Sequence, residues 1–556
     1  MRTLVTLLAA AAILCFMTPM TQAQTATTGQ VVGVVTDPSG ALVTGAKVVL
    51  MSDAGVRRET VTGGNGRYTF PLLAPGAYRL EVTQSGFAST KVEGIVVKIT
   101  ESTVIDVVLK VAGAPTTVSV TGESPLVQTE SSARGTVIDE KEIDSLPLPT
   151  RNFQQLLAMT TGTSGSLGNS SELGRGDVAV YVNGQRALSN NMIINGVDAN
   201  SIGTGENPNL SVPSMDSLQE FIVQTSMYDA SAGRNAGGNV AAVTKSGTNS
   251  FHGDAYEFLR NTALDANNFF LNGAEQSATG VPVVTPRPAY RRNQFGGTLG
   301  GPIIKDRAWF FISYQGTRET NGTSLTNSLS TVFAPAGLGP LSTRNAASLS
   351  SLSNCYNPAF KGYVDPVALN ALLAALPDGQ PMIPGIPGVV TGSCPSSLNP
   401  VLETIPSNST YKEDQFNTNL DVKLTPANRF FAKYFQAFNR EDQALYNQFG
   451  DGNPLQAPGW PTEEDIYQRV LSAGVQSVIS SHLLNEFRFG WSTIYGPGKP
   501  STPVTSSQLG ISSPLDTPSD PLFPSMPTMS FLNMVTLGPS PLGIPTLRPT
   551  LTPSAT

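Results

Sequence analysis

Apolar and polar positions alternate in short runs along most of this chain, and a period of two predicts strands rather than helices. Val31-Val32-Gly33-Val34-Val35 runs into the turn Asp37-Pro38-Ser39-Gly40. Ala46, Val48 and Leu50 alternate with other residues, as do Tyr78, Leu80 and Val82 after the turn Pro75-Gly76. Further strands are expected over 90–99 and 103–110. About seven short strands with turn residues between them predict a small β-sandwich over residues 28–112.

Residues 124–247 mix periods. Asp139 with Glu142 is a candidate helix cap before Pro147. Asn152 is another, since Phe153, Leu156 and Leu157 share a helical face and Gly162 follows. Ala179–Asn183 and Met192–Asn195 read as strands ending in the Asn-Gly turns Asn183-Gly184 and Asn195-Gly196.

From residue 250 the alternating runs lengthen. Phe251 to Arg260 is one. Gln294–Ile304 is glycine-rich and meets the aromatic run Ala308–Gly316 across Lys305-Asp306-Arg307. Asp414–Leu424 pairs with Arg429–Asn439, and Glu464–Ile479 with His482–Tyr495, where Phe487, Phe489 and Trp491 share a face. Between the pairs lie long polar loops, above all 320–410. Short turns at one end, long loops at the other and aromatic-ended strands predict a transmembrane antiparallel β-barrel over 250–556. The fold class expected is therefore mainly β.

Composition supports this reading. Charged residues make up 13%, while Gly (53) and Pro (42) are abundant, which suits turn-rich β-structure with a face toward lipid. The net charge of -7 excludes the basic footprint of a nucleic-acid binder. Residues 1–23 read as a signal peptide: Arg2, an apolar run over 4–16 too short to span a bilayer, and Ala23 at the cleavage point. Cys15 belongs to that run. Cys355 and Cys394 are the cysteines left after cleavage, and the oxidising compartment favours a disulfide between them. Two unpaired loop thiols are the alternative.

Gly66–Leu80, with Gly86-Phe87, resembles the carboxypeptidase regulatory-like domain, whose carbohydrate-binding-like fold uses glycines in turns and aromatics in the core. The ordered set Ile194-Asn195-Gly196-Val197-Asp198, Ser217-Leu218-Gln219-Glu220-Phe221, Tyr228 to Gly238 and Thr244-Lys245-Ser246-Gly247 resembles the plug of TonB-dependent receptors. The strands after residue 250 resemble the Oar-like subgroup of that family. The resemblance implies an α+β plug over 124–247 and a linker over 113–123. In that linker, Thr117-Val118-Ser119-Val120-Thr121 resembles a TonB box, although a plain linker strand has the same pattern. Full-length barrels of the family have about 22 strands. About seven are readable here, so an incomplete barrel is expected.

Chemistry-bearing constellations are absent from this reading. His252 and His482 lack metal-ligand spacing, and no zinc-protease, nucleophile-elbow or phosphate-loop motif occurs. No catalytic residue, metal or cofactor is expected, and the chain is not expected to be an enzyme. The resemblance implies TonB, outer-membrane lipid and an unidentified small molecule, oligosaccharide or peptide as partners, with the sandwich in the periplasm. The alternative is an envelope protein for adhesion or glycan binding, without transport.

Overall fold

The computed structural model describes residues 27–555 apart from 53–56, 112–117, 122–133, 144–147, 166–172, 175–179, 201–210, 229–234, 267–274, 277–281, 284–288, 323–330, 405–407, 444–461, 501–503, 512–549 and single residues or pairs elsewhere. The expected signal peptide, Cys15, Thr117, Phe153 and His482 lie outside the described residues.

The first strands are β1 (Gly29–Thr36), β2 (Lys47–Ser52), β3 (Arg57–Val61), β4 (Arg67–Leu73), β5 (Gly76–Thr83), β6 (Thr90–Val97), β7 (Ser102–Val104), β8 (Val107–Val108) and β9 (Val118–Thr121). They form two sheets, β4-β1-β7 with β8 also on β1, and β3-β2-β5-β6-β9. Val31, Val48, Leu50, Phe70, Leu80 and Ile95 are buried between them. These are the alternate positions of each strand, so the period-two pattern becomes a two-layer core. Gly33 lets the layers close, since a Cβ there would stand 1.9 Å from the Ile105 carbonyl oxygen. Tyr68 Oη donates to that same oxygen at 2.6 Å. The strand β3, Arg-Arg-Glu-Thr-Val, escaped the sequence reading because it has no buried position; charge suits an edge strand.

The next unit holds β10 (Arg134–Asp139), α1 (Gln154–Leu157), β11 (Thr163–Ser164), β12 (Tyr181–Val182), β13 (Asn191–Ile194), β14 (Val197–Asp198), β15 (Leu218–Ser226) and β16 (Asn239–Thr244). Five strands make one mixed sheet, β10-β15-β16-β13-β14, over a core that includes Leu156, Ile194, Phe221, Val223 and Ala242. Asn152 caps α1, accepting from the Gln154 N–H at 3.0 Å. Asp139 ends β10 opposite Glu220; the helix start expected beside it, at 140–141, lies outside the described residues. Asn195 (φ 51°) and Gly196 (φ 79°) form the two-residue turn from β13 to β14, where positive φ matches the strand twist.

An antiparallel sheet packs against this inner unit. Its strands are β17 (His252–Asn261), then β20 (Tyr290–Ile304) and β21 (Ala308–Asn321), which follow a small hairpin of β18 (Glu275–Gln276) and β19 (Pro282–Val283). After β22 (Thr331–Ala334) and β23 (Val401–Thr404) come β24 (Ser409–Thr425), β25 (Asn428–Gln443), β26 (Thr462–Ser480), β27 (Leu483–Tyr495), β28 (Gly498–Pro500) and β29 (Thr550–Ala555). The order is β17-β20-β21-β24-β25-β26-β27-β29, with β28 on β26. All pairings in it are antiparallel. Its faces are the reverse of a water-soluble sheet. On β24 the buried side chains are Ser409, Tyr411, Glu413, Gln415, Asn417, Asn419 and Asp421. Phe416, Phe487 and Phe489 stand on the outside, 47%, 63% and 47% exposed.

Residues 320–410 correct an expectation. They are not one polar loop. The pair β22–β23 forms their base, and above it α2 (Ala346–Tyr356) and α3 (Pro366–Leu373) pack over a core of Leu338, Leu349, Leu352, Leu376 and Met382. A short helix α4 (Ser506–Leu509), from the connection after β28, adds Leu509 to that core. Both longer helices have firm starts: Asn345 and Ser348 form a capping box, and Asp365 accepts from the Val367 N–H before Pro366. Cys355 and Cys394 are joined, with Cα atoms 5.3 Å apart.

Burial pushes the Tyr68 hydroxyl well above its ordinary value of 10.0, and does the same to Tyr78. The sign follows from linkage. Above pH 10 the unfolded chain releases these two protons and the folded chain keeps them, so the stability they contribute is complete below pH 10 and falls as pH rises. In an alkaline titration of tyrosinate absorbance, replacing Tyr68 or Tyr78 with Phe should each remove one tyrosine from the group that ionises only with unfolding. Replacing Tyr68 with Phe should cost about 1–2 kcal/mol in urea unfolding, because the Ile105 carbonyl loses its partner. A variant as stable as the parent contradicts this account.

Candidate functional site

The inner unit is held by the wall largely through polar contacts. Asn419 Nδ2 donates to Thr244 Oγ1 (2.8 Å) and to the Lys245 carbonyl (2.6 Å). Lys433 Nζ donates to the Thr244 carbonyl at 2.7 Å. Asn417 reaches Ser217 Oγ at 3.2 Å, and Ser211 Oγ donates to Glu413 at 2.9 Å. Arg292 and Glu319, both buried, pair at 2.5 Å. Glu319 also accepts from the Gly174 N–H (3.1 Å), while Arg292 donates to the Thr150 carbonyl (3.1 Å) and to that of Gly174. On β17, the Phe258 ring lies 3.9 Å from the guanidinium carbon of Arg151, which also pairs with Asp216 at 2.8 Å. Apolar contact with the wall comes from Phe435, Ala437 and Val470.

One end of the wall is organised by Arg488 of β27. Its Nη1 donates to the Asn195 carbonyl at 3.0 Å, its Nη2 donates to Thr27 Oγ1 at 2.7 Å, and Glu486 balances the charge at 2.5 Å. One side chain thus touches wall, inner unit and the start of the sandwich. Gly196 makes this approach possible, because a Cβ there would lie 1.5 Å from Arg488 Nη1. The sandwich docks on the inner unit through Ile99, which packs with Ile222, Ala241 and Val243. The Ile99 N–H donates to Glu220 at 2.5 Å. A cavity of about 680 Å³ remains where these three parts meet, with Tyr78, Gln219, Lys245, Asp421, Lys433 and Arg488 in its lining. Its cations are already engaged: Arg429 pairs with Asp421 at 2.8 Å.

The tight turns of the wall lie at this same end. Lys423, Pro426 and Ala427 share a crevice with Arg57 and Arg58 of the sandwich. The stapled unit lies beyond the opposite strand ends, after Asn321 and before Ser409.

Of the expected partner-binding residues, Val118, Ser119, Val120 and Thr121 are the strand β9, and Thr117 lies outside the described residues. β9 pairs in parallel with β6, Val118 opposite Thr90 and Thr121 opposite Glu93, and ends its sheet. Sequence reading saw an extended segment there but had no means of finding its neighbour. It also missed Arg488, Arg292 and Glu319, whose only signal is a charge at an inward position of a strand. Among the described residues no group of three or more His, Cys, Asp or Glu side chains is placed to hold a metal ion.

Residues 243–552 match the family described as outer membrane beta barrel domain. The chain belongs to that family. Its faces, largely polar within and with Phe416, Phe487 and Phe489 outside, are those of a protein that meets lipid, and its place is the outer membrane. Residues 30–110 match the carboxypeptidase regulatory-like domain. The chain is similar to the TonB-dependent transporter Oar of Myxococcus xanthus, 26% identical over 276 residues, which cover 47% of this chain and 24% of that protein. It thus spans about a quarter of that curated relative. Among solved structures it is similar to the outer membrane transporter YddB of Escherichia coli, at TM-score 0.40 and 12% identity, over 66% of this chain and 39% of that one. A mutant ferric enterobactin receptor PfeA of Pseudomonas aeruginosa gives TM-score 0.37 and 13% identity, over 69% and 43%.

Replacing Arg488 with Ala leaves the Glu486 carboxylate without its cation, although Gln476 still donates to it, and removes one donor each from Thr27 and the Asn195 carbonyl. A loss of about 3–5 kcal/mol is expected from breaking a buried pair on one side only. Trypsin should then cut residues 134–247 faster in isolated outer membranes. A cleavage rate equal to the parent's would show that Arg488 does not hold the three parts together.

Proposed function

We propose that this chain acts as a TonB-dependent receptor that takes up a substrate through the outer membrane at the expense of the inner-membrane proton gradient. The supporting observation is the polar inner face of the wall, hydrogen-bonded at several points to the inner unit. Contacts of this kind can be exchanged for water one at a time, so a pull can shift the unit without exposing a large apolar surface. In this reading residues 28–112 are the periplasmic sandwich, 113–123 the linker, 124–247 the plug and 250–556 the barrel portion. The relatives named above are transporters and receptors rather than enzymes.

The proposed TonB box is Thr117-Val118-Ser119-Val120-Thr121. TonB would engage it by strand addition, through main-chain hydrogen bonds. Since β9 ends its sheet, the partner strand would add to its outer side or take it from β6.

Proline at Val118 or Val120 removes a backbone donor and opposes strand pairing. Each substitution should prevent co-purification of the periplasmic domain of TonB and abolish energy-dependent uptake, with surface display unchanged. Retained co-purification of the proline variants would remove the role assigned to this segment. Activity that survives collapse of the proton gradient would favour the adhesion reading instead.

A further inference from the structure

The unit stapled by Cys355 and Cys394 contains a cleft of about 520 Å³. Leu349 and Leu352 of α2 line it, with Tyr356, Phe360 and Tyr363 beside them. Phe360 and Tyr363 are 56% and 65% exposed, so the cleft opens to solvent. A volume of this order suits a small molecule rather than a protein surface.

Several of its polar atoms are already occupied within the unit. Ser353 Oγ donates to the Tyr363 carbonyl at 2.7 Å. Tyr356 Oη donates to the Ala336 carbonyl at 2.9 Å. Asp365 is the one ionisable lining residue among the described residues apart from Tyr356 and Tyr363, and its Oδ1 accepts from the Val367 N–H at 2.9 Å. Beyond the Tyr363 hydroxyl, the lining therefore offers few donors to a carboxylate or a phosphate, and such groups are costly to bury without them. It offers aromatic faces and a carboxylate, which attract apolar groups and cations.

The cleft is also preformed. Arg344 ties its surroundings together, donating to the carbonyls of Gly339 (2.8 Å), Leu372 (2.9 Å) and Ile383 (2.8 Å). The disulfide closes a sequence separation of 39 residues, worth about 4 kcal/mol in chain-entropy terms. A binding site that is already rigid loses less on ligand capture.

We infer that this cleft binds a compact apolar molecule, aromatic in part and either neutral or positively charged. Its biological meaning, capture at the outer surface before uptake, rests on the receptor reading. The binding itself does not.

The test uses the whole chain in lipid nanodiscs, with empty discs as the blank, and two probes of the same shape: phenylpropylammonium and phenylpropionate. Saturable binding of the ammonium probe is expected, at least about fivefold tighter than the carboxylate probe. Leu352→Trp fills the cleft and should weaken binding at least about tenfold. Tyr363→Ala, at an exposed position that leaves the core intact, should weaken it severalfold and guards against misfolding of the first variant. Asp365→Asn, which keeps the helix cap, should bring the two probes to equal affinity. Absence of saturable binding overturns the inference, as does binding that neither Leu352→Trp nor Tyr363→Ala changes. Self-association of the chain that Leu352→Trp abolishes would assign the cleft to a second copy and overturn it too. Because no energy source enters the measurement, its failure leaves the uptake reading standing, and failed uptake leaves the binding result standing.

Discussion

Glu413, Asn417, Asn419 and Arg292 project from the wall into space closed to water, and buried polar groups cost about 1–3 kcal/mol each when left without partners. That requirement organises the inner half of the molecule. The wall cannot turn these residues outward, where Phe416, Phe487 and Phe489 stand. Part of this demand is met by the backbone and hydroxyls of the inner unit: the Thr244 and Lys245 carbonyls, Ser211, Ser217 and the peptide groups of Thr150 and Gly174. The placement of β16 against the wall, and of the Asn195-Gly196 turn under Arg488, follows from this matching.

Strand positions were legible in the sequence because a half-buried strand shows its burial as a period of two. Val48 and Leu50, or Phe487 and Phe489, are read directly. The Asn-Gly turn at 195–196 was legible too, since its positive φ values leave few other residue choices. The edge strand β3 was not, because no residue in it is buried and nothing in the pattern distinguishes Arg-Arg-Glu-Thr-Val from a loop. The contacts of Arg488 were equally hidden. They join residues 461 positions apart, and no local pattern carries that information.

Residues 320–410 show a different limit. Ser, Asn, Pro and Gly mark a loop by composition, yet α2 and α3 form there. The signals that start them are local and small: Asn345 with Ser348, and Asp365 before Pro366. Leu349 and Leu352, spaced by three, give α2 one narrow apolar stripe. A stripe of two leucines is too thin to hold a lone helix of this length in water. The helix persists through tertiary packing, including Leu509 from a distant connection, and through the cross-link.

The parallel pairing of β9 with β6 has a mechanical side. Four rungs, Thr90–Val118 to Glu93–Thr121, attach this short strand to the sandwich. A load applied along the strand must strain all four rungs together, whereas a load across the sheet opens them one after another. The same small ladder is therefore stiff in one direction and weak in the other. The tension it transmits before tearing depends on the angle of the tug more than on the chemistry of its side chains, and a strand this short gives way long before the well-packed layers behind it.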